Sequence, residues 1–594
     1  MVKGADMTEK KNKTSNSFSK SKKNDLTQFA LGLLIIILLN MISSFIFTRI
    51  DLTSEKRYSL SEASKTMLNG IDDLVFFRIY LEGEFPAGFK QLARETREML
   101  DEMRAYNSNI EYKFINPSES SDKAERDRIY QQLVEKGLNP TDLQVKTKDG
   151  TAKKLIFPGT IATYHGREMP IELLVSQRST APEEILNNSI QNLEFAIADG
   201  IRKLVSNKRP KIAFIEGHGE LDKQETADAT LALWDYYNVE RVRIDGQLNS
   251  LTERKATDSI NVRIKNKFDA IIIAKPDSAF SNKDKFIIDQ YIMRGGKVLW
   301  LIDPVFASMD SLQVNTETTG ISLDLNLTDM FFKYGIRLNN DLLMDLNAMQ
   351  IPLQVGEVGG QPQYEFFPWF YFPILTPLSE NPIVRNLNAL KTEFISSIDF
   401  VNESSNIDKT ILLTTSRYSR TVNVPVMISL AIMGEKPDER MFNKQDIPVA
   451  ALLEGKFESV YANRMPPEIT EDTDIDFREV SKETKMIFIA DGDMIRNQMQ
   501  FSQGNYLPLP LGYDRYTGQQ FGNKELILNA MNYLTENEGL ISIRSKELKL
   551  RLLDRTKVEN ERTFWQILNV IVPVVLVLIF GLLLGWIRKR RYAR

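Results

Sequence analysis

Residues 211–220 read KIAFIEGHGE. An apolar run of strand length ends at a glycine-flanked loop, the pattern of a strand buried on both faces that stops at a tight turn. FDAIIIAKP (268–276) and KVLWLIDP (297–304) repeat it, each almost wholly apolar and each closed by proline. VERVRI (239–244) predicts a further strand, and the spacing predicts helices over 227–237 and 284–294, the second ending at Gly295 and Gly296. Strands alternating with helices predict an open, doubly wound α/β sheet. KMIFIADGD (485–493) is expected as one more strand of that sheet, followed by a helix over 524–535. Residues 308–484 then become a β-rich insertion.

Upstream, LVFFRIYLE (74–82) and IEYKFI (110–115) read as strands around an amphipathic helix over 89–106, with Leu92, Thr96, Met99, Leu100 and Met103 on one stripe. A helix over 124–136 stops at Gly137. Strand signals follow near 143–145, 152–157 and 160–164, then a long helix over 187–206. This order resembles a thioredoxin-like α/β domain. GEFPAG (83–88) stands where that fold carries C-x-x-C, so no redox chemistry is implied.

Two uncharged apolar segments enclose this region, LTQFALGLLIIILLNMISSFIF (26–47) and FWQILNVIVPVVLVLIFGLLLGWI (564–587). Each is long enough to cross a hydrocarbon core as a helix. Lysines 3, 10, 11, 13, 20, 22 and 23 precede the first, and RKRRYAR ends the chain. Positive flanks stay in the cytoplasm, so both termini are expected there, with the bulk on the periplasmic side of an inner membrane. No small-x-small cleavage site follows the first segment, which favours a retained anchor over a signal peptide. The expected layout is a basic tail (1–25), a transmembrane helix (26–47), a thioredoxin-like domain (48–207), the doubly wound domain (208–540, insertion about 308–484), a charged stalk (541–563), a second transmembrane helix (564–587) and a basic tail (588–594). Asn40, Asn569 and Pro573 interrupt the spans. Polar groups in lipid tend to face other helices, which makes these three candidate contacts with a multi-span partner. The plainer alternative is polarity tolerated near an interface.

The 594 residues include no cysteine and two histidines, His165 and His218. Disulfides, thiolate metal sites, cysteine nucleophiles and lipoprotein attachment are thereby excluded, and little material remains for a catalytic triad or a multi-histidine metal site. The net charge of −4 singles out no partner class, and no nucleic acid is expected. No segment has the G-x-x-x-x-G-K-[ST] spacing of a phosphate loop, so any ATPase is a different chain. Ligands of doubly wound sheets bind beyond the carboxyl ends of the strands. Glu216, His218, Glu220, Asp303, Asp491 and Asp493 fall on that rim, and the first five are the candidate ligand contacts. Against a hydrolytic or metal site stands the ordinary use of acidic residues at strand ends and helix caps, with no nucleophile among them. No catalytic residue, metal site or cofactor is expected. YEFFPWFYFP (364–373) is the densest aromatic run. Phe367, Trp369, Phe370 and Tyr371 there form either an exposed docking surface for a partner or membrane lipid, or a packed core.

The two apolar segments, KIAFIEGHGE, FDAIIIAKP, KVLWLIDP, PWFYFP, KMIFIADGD and LRLLDRTKVENERTFWQ together resemble the ABC-transporter auxiliary family, and within it the gliding-motility branch found in Bacteroidota. The resemblance runs from the first apolar segment to the C-terminus. It implies a membrane permease and a cytoplasmic ATPase as partners, and a role in gliding motility and associated protein secretion. It also implies a soluble fold similar to glutamine-amidotransferase-like domains. Those enzymes use a cysteine nucleophile, absent here, so no catalytic residue carries over. The expected function is that of a non-enzymatic subunit binding or coupling to a periplasmic or cell-wall partner. The alternatives are a membrane-anchored envelope hydrolase using rim carboxylates such as Glu216 and Asp303, and a solute-binding protein.

Overall fold

The computed structural model describes residues 28–38, 562–592, and 60–535 except 148–149, 175–181, 206–208, 257–261, 386, 402–405, 435–436, 473–474 and 503. Contacts divide the chain into two units, Met1–Ser59 and Leu60–Arg594. The described part of the first is a helix over Gln28–Leu38. The rest of the predicted first span, with Asn40, and residues 541–561 of the stalk predicted over 541–563 lie outside the described residues.

After a short helix over Glu62–Asn69, the main elements of the first part of the second unit are β1 (Val75–Ile79), α1 (Ala87–Tyr106), β2 (Ile110–Phe114), α2 (Lys123–Glu135), β3 (Gly159–Tyr164), β4 (Arg167–Glu172) and α3 (Leu193–Val205). The sheet order is β2-β1-β3-β4, with β1 parallel to β2 and β3 antiparallel to both of its neighbours. The apolar stripe of α1 is buried at Phe89, Leu92, Thr96, Leu100 and Met103. These side chains and Ile197 and Ile201 of α3 pack on Val75, Phe77 and Ile79. GEFPAG is the loop from β1 into α1 and sends Phe85 into this core.

Next come β5 (Lys211–Glu216), α4 (Ala227–Trp234), β6 (Asn238–Arg243), β7 (Ala270–Ala274), α5 (Asn282–Met293), β8 (Lys297–Leu301), β9 (Ile407–Thr414), β10 (Pro448–Gly455), β11 (Thr484–Ile489) and α6 (Asn523–Thr535). They form one seven-stranded sheet, ordered β9-β10-β11-β8-β7-β5-β6. The run from β11 to β6 is parallel, and β10 and β9 join antiparallel. Alternate side chains feed two cores, as a sheet covered on both faces requires. Phe214, Ile272, Leu299 and Ile487 meet Leu233 of α4 and Leu526 and Ala530 of α6. Ile215, Ile273, Trp300 and Phe488 meet Ile288, Tyr291 and Ile292 of α5.

Two expectations are corrected. Residues 308–484 are not wholly an insertion, because β9 and β10 lie inside that range and extend the main sheet. In the intervening lobe, Trp369, Phe370 and Tyr371 are 0–4 % exposed and pack with Met344, Ile351, Phe394 and Phe442. They are core, not docking surface, and Phe367 is half-buried. Their strand, Gln361–Leu375, starts as an exposed ribbon carrying Tyr364 and Phe366 and then runs into the lobe interior, where both faces are covered.

Among the described residues one helix is long and apolar enough to cross a membrane, Phe564–Arg590, and no part of its apolar window is buried. Ile567–Ile571 form a π turn. Pro573 follows it, and a proline cannot supply the N–H that a regular helix needs at that point. The Asn569 side-chain amide donates to the Trp565 carbonyl at 3.0 Å, a bond within its own helix.

Candidate functional site

The carboxyl ends of β5, β7, β8 and β11 share one rim, and the polar residues there fall into three groups. The first lies at the topological switch point, where β5 has β6 on one side and β7 on the other. The loop after β5 meets the loop after β7. Backbone N–H groups of Asp277 and Ser278 both donate to the His218 carbonyl at 3.0 Å. Gly219, at φ +74°, lies so close to Asp277 that a Cβ there would overlap the carboxylate. The His218 ring is buried and stacks on Phe280 with 3.7 Å between centroids. Its Nδ1 lies 3.3 Å from Glu220 Oε1 and its Nε2 3.3 Å from Asp284 Oδ2. Burial alone would lower the His218 pKa, but the Glu220 and Asp284 carboxylates outweigh it and raise the pKa above the usual imidazole value. Asp284 also accepts from the Gly246 N–H at 2.7 Å and from the hydroxyl of Ser281, the N-cap of α5.

The second group surrounds Lys275, which takes φ +53° in the position just after β7. Its ammonium contacts Asp493 and lies 3.1 Å from Asp303. Asp303 accepts from the Gly492 N–H. Asp491 accepts from the backbone N–H groups of Asp493 at 2.8 Å and Glu393 at 2.9 Å, the latter a residue of the lobe. Arg496 reaches Asp493 at 3.4 Å and Glu225 at 2.9 Å, and Lys391 lies 3.8 Å from Glu393. Gly492 permits this packing, since a Cβ there would come within 2.9 Å of the Lys275 Cα. Burial works against the Lys275 charge, but Asp303 and Asp493 reverse the effect and hold its pKa above the usual lysine value. Burial pushes Asp303, Asp491 and Glu393 above the usual carboxylate range.

Glu216 is the third, more exposed, and pairs with the Arg241 Nε. The Arg241 guanidinium also donates to the Thr226 hydroxyl and the Leu221 carbonyl.

The structure therefore brings His218 together with Glu220, and Asp303 with Asp491 and Asp493. Reading the sequence missed the partners that organise them: Lys275, Asp284, Arg241, Glu393 and Arg496. Lys275 and Arg241 carried a usable signal, since each is a cation on or just beyond a predicted strand. Among the described residues no group of three or more His, Asp and Glu side chains is placed to hold a metal ion.

The chain belongs to the family described as an ABC-type uncharacterized transport system, whose sequence model matches residues 209–530, from the start of the seven-stranded sheet into α6. A second model, described as a domain of unknown function, matches residues 54–163. An uncharacterized protein of Borreliella burgdorferi is 22% identical over 581 residues, covering 96% of this chain and 99% of that protein. Among solved structures, the mmIFT52 N-terminal domain is matched at 12% identity with a TM-score of 0.31, over 55% of this chain and 98% of that one. Membership of the auxiliary family implies association with an ABC transporter complex, and the apolar helix near the C-terminus accords with membrane association.

Proposed function

We propose that this chain is a non-enzymatic, extracytoplasmic subunit of an ABC-transporter complex of the gliding-motility type, similar to the component called GldG. Two spans anchor it with both termini in the cytoplasm. It packs on a GldF-like permease served by a GldA-like ATPase, and its α/β body binds or couples to a periplasmic or cell-wall partner. The observation that carries this reading is the internal pairing of the rim. Glu216, His218, Asp303 and Asp493 each face a side-chain partner of opposite charge or a hydrogen-bonding ring, and Asp491 is held by two backbone N–H groups. A hydrolase needs a carboxylate aimed at substrate, and a solute-binding protein needs an open crevice. Here the loops after β5 and β7 hydrogen-bond to each other across the switch point.

Gentle detergent purification of the tagged full-length chain, with mass spectrometry of what accompanies it, is expected to recover a multi-span permease in stoichiometric amount. Recovery of the chain alone in several mild detergents would overturn the reading. Glu216→Gln, which leaves the strand and its neighbours in place, is expected to leave the cellular phenotype unchanged. Loss of that phenotype with a normally accumulated protein would instead favour the envelope-hydrolase alternative.

A further inference from the structure

The His218 ring ties together three separate connections at the switch point. It sits in the loop after β5, faces Glu220 of its own loop at 3.3 Å, and faces Asp284 in the first turn of α5 at 3.3 Å. The other Asp284 oxygen holds the Gly246 N–H in the connection after β6. The charged groups facing the ring are these two carboxylates, and Phe280 covers its flat face without charge. Asp277 touches the loop through Gly219 and not through the ring.

We infer that His218 is a proton-operated latch that closes the crevice between β5 and β7. An imidazolium donates from both nitrogens, one to each carboxylate. A neutral imidazole has one N–H, and its second nitrogen presents a lone pair to a carboxylate oxygen 3.3 Å away. One of the two contacts then changes from attraction to repulsion in a buried setting, and the ring loses either its tie to α5 through Asp284 or the Glu220 contact that holds its own loop in shape. Release also loosens the two N–H bonds that Asp277 and Ser278 make to the His218 carbonyl, which cover the switch point. The direction of the pKa shift gives the sign. The folded-state pKa of His218 is raised. Closure is therefore fully present below the unfolded imidazole value of about 6.5 and is lost as pH rises through the folded value.

The test is amide hydrogen exchange on the full-length protein in detergent, corrected for intrinsic rates, across the span from about pH 5.5 to about pH 9 in which a histidine titrates. Protection over residues 217–221 and 277–284 is expected to fall as pH rises through the folded-state value of His218. In His218→Gln it is expected to be low and independent of pH. The chain has two histidines, so His165→Gln identifies the His218 ring signal by NMR, and its titration midpoint in the otherwise native protein must coincide with the exchange transition. This second readout needs no change at the latch and holds even if His218→Gln fails to fold. A flat profile in the native protein, an unchanged profile in His218→Gln, or a ring titration displaced from the exchange transition would each overturn the latch.

Discussion

Replacing Lys275 by Met is expected to destabilise the fold by about 3–5 kcal/mol, the usual effect of breaking a buried charge pair by removing one partner. The reason is the composition of the cluster. Asp303 and Asp493 contact the Lys275 ammonium, and Asp491 and Glu393 lie in the same buried group. Arg496 still reaches Asp493 at 3.4 Å but is shared with Glu225, and Lys391 faces Glu393, so Asp303 is the carboxylate that loses its cation. Methionine fills much of the volume, so the loss reports electrostatics more than packing. Acid should relieve it. Asp303, Asp491 and Glu393 have raised folded-state pKa values, so each binds a proton more readily in the folded than in the unfolded protein. The stability linked to that proton is fully present below the unfolded value and lost as pH rises through the folded one. Lys275 holds all three down, so its removal raises them further, the variant gains more from protonation than the native protein, and its deficit is expected to be smaller near pH 5 than near pH 8. Chemical unfolding at the two pH values measures it. Adding Asp303→Asn to Lys275→Met should recover part of the loss at the higher pH, because the two sites are coupled. A deficit below about 1 kcal/mol at both pH values would mean that the cluster behaves as a solvent-screened surface pair.

What could be read from the sequence follows from the range of the interactions. The parallel strands β5, β7 and β8 were legible because each is an apolar run close in the chain to its neighbours in the sheet, and β11, which joins β8 only after the lobe, was legible because it repeats the pattern of β8. The antiparallel pair β9 and β10 was not. Residues 448–455, PVAALLEG, are as apolar as any parallel strand, but they follow the lobe, and the return from Gly455 to Thr484 that pairs them antiparallel with β11 carries no tight hairpin turn for a local pattern to record. The aromatic run at 364–373 had the same ambiguity in another form. Alternation along a strand does not say where an exposed ribbon enters a core, and the register with Ala348–Val358 places that boundary at Trp369. At the rim, strand ends located Glu216, His218, Asp303 and Asp491 correctly. Their partners come from β6, from loops and from α5, brought in by tertiary contacts between residues as distant as Lys275 and Asp493. The same limit explains why a set of acidic strand ends looks like a candidate active site in sequence and forms internally paired clusters in the fold.

Asp289→Ala is expected to cost on the order of 5 kcal/mol, since it leaves several buried donors without their acceptor, at about 1–3 kcal/mol each. Asp289 lies on α5 with no exposed surface. Its oxygens accept from the Ser459 hydroxyl at 2.7 Å, the Tyr334 hydroxyl at 2.9 Å, the Val460 N–H at 3.0 Å and the Gln290 amide at 3.0 Å. These donors come from α5 itself, from the helix Thr328–Tyr334 and from the segment after β10, so one carboxylate joins the sheet's covering helix to two elements beyond it. Tyr334 is wholly buried against Phe457, and its hydroxyl has no path to water without movement of that core. A loss of this size is a large part of the 5–15 kcal/mol that stabilises a typical domain, so the variant should accumulate poorly and melt early. Asp289→Asn keeps the volume and one acceptor oxygen, and should lose less than half as much. Thermal melts of the two variants, with exchange of the Val460 amide as the local readout, separate the possibilities. If Asp289→Ala loses less than about 2 kcal/mol while the Val460 amide stays protected, the donors have found new acceptors, and Asp289 is then not what fixes α5 to the lobe.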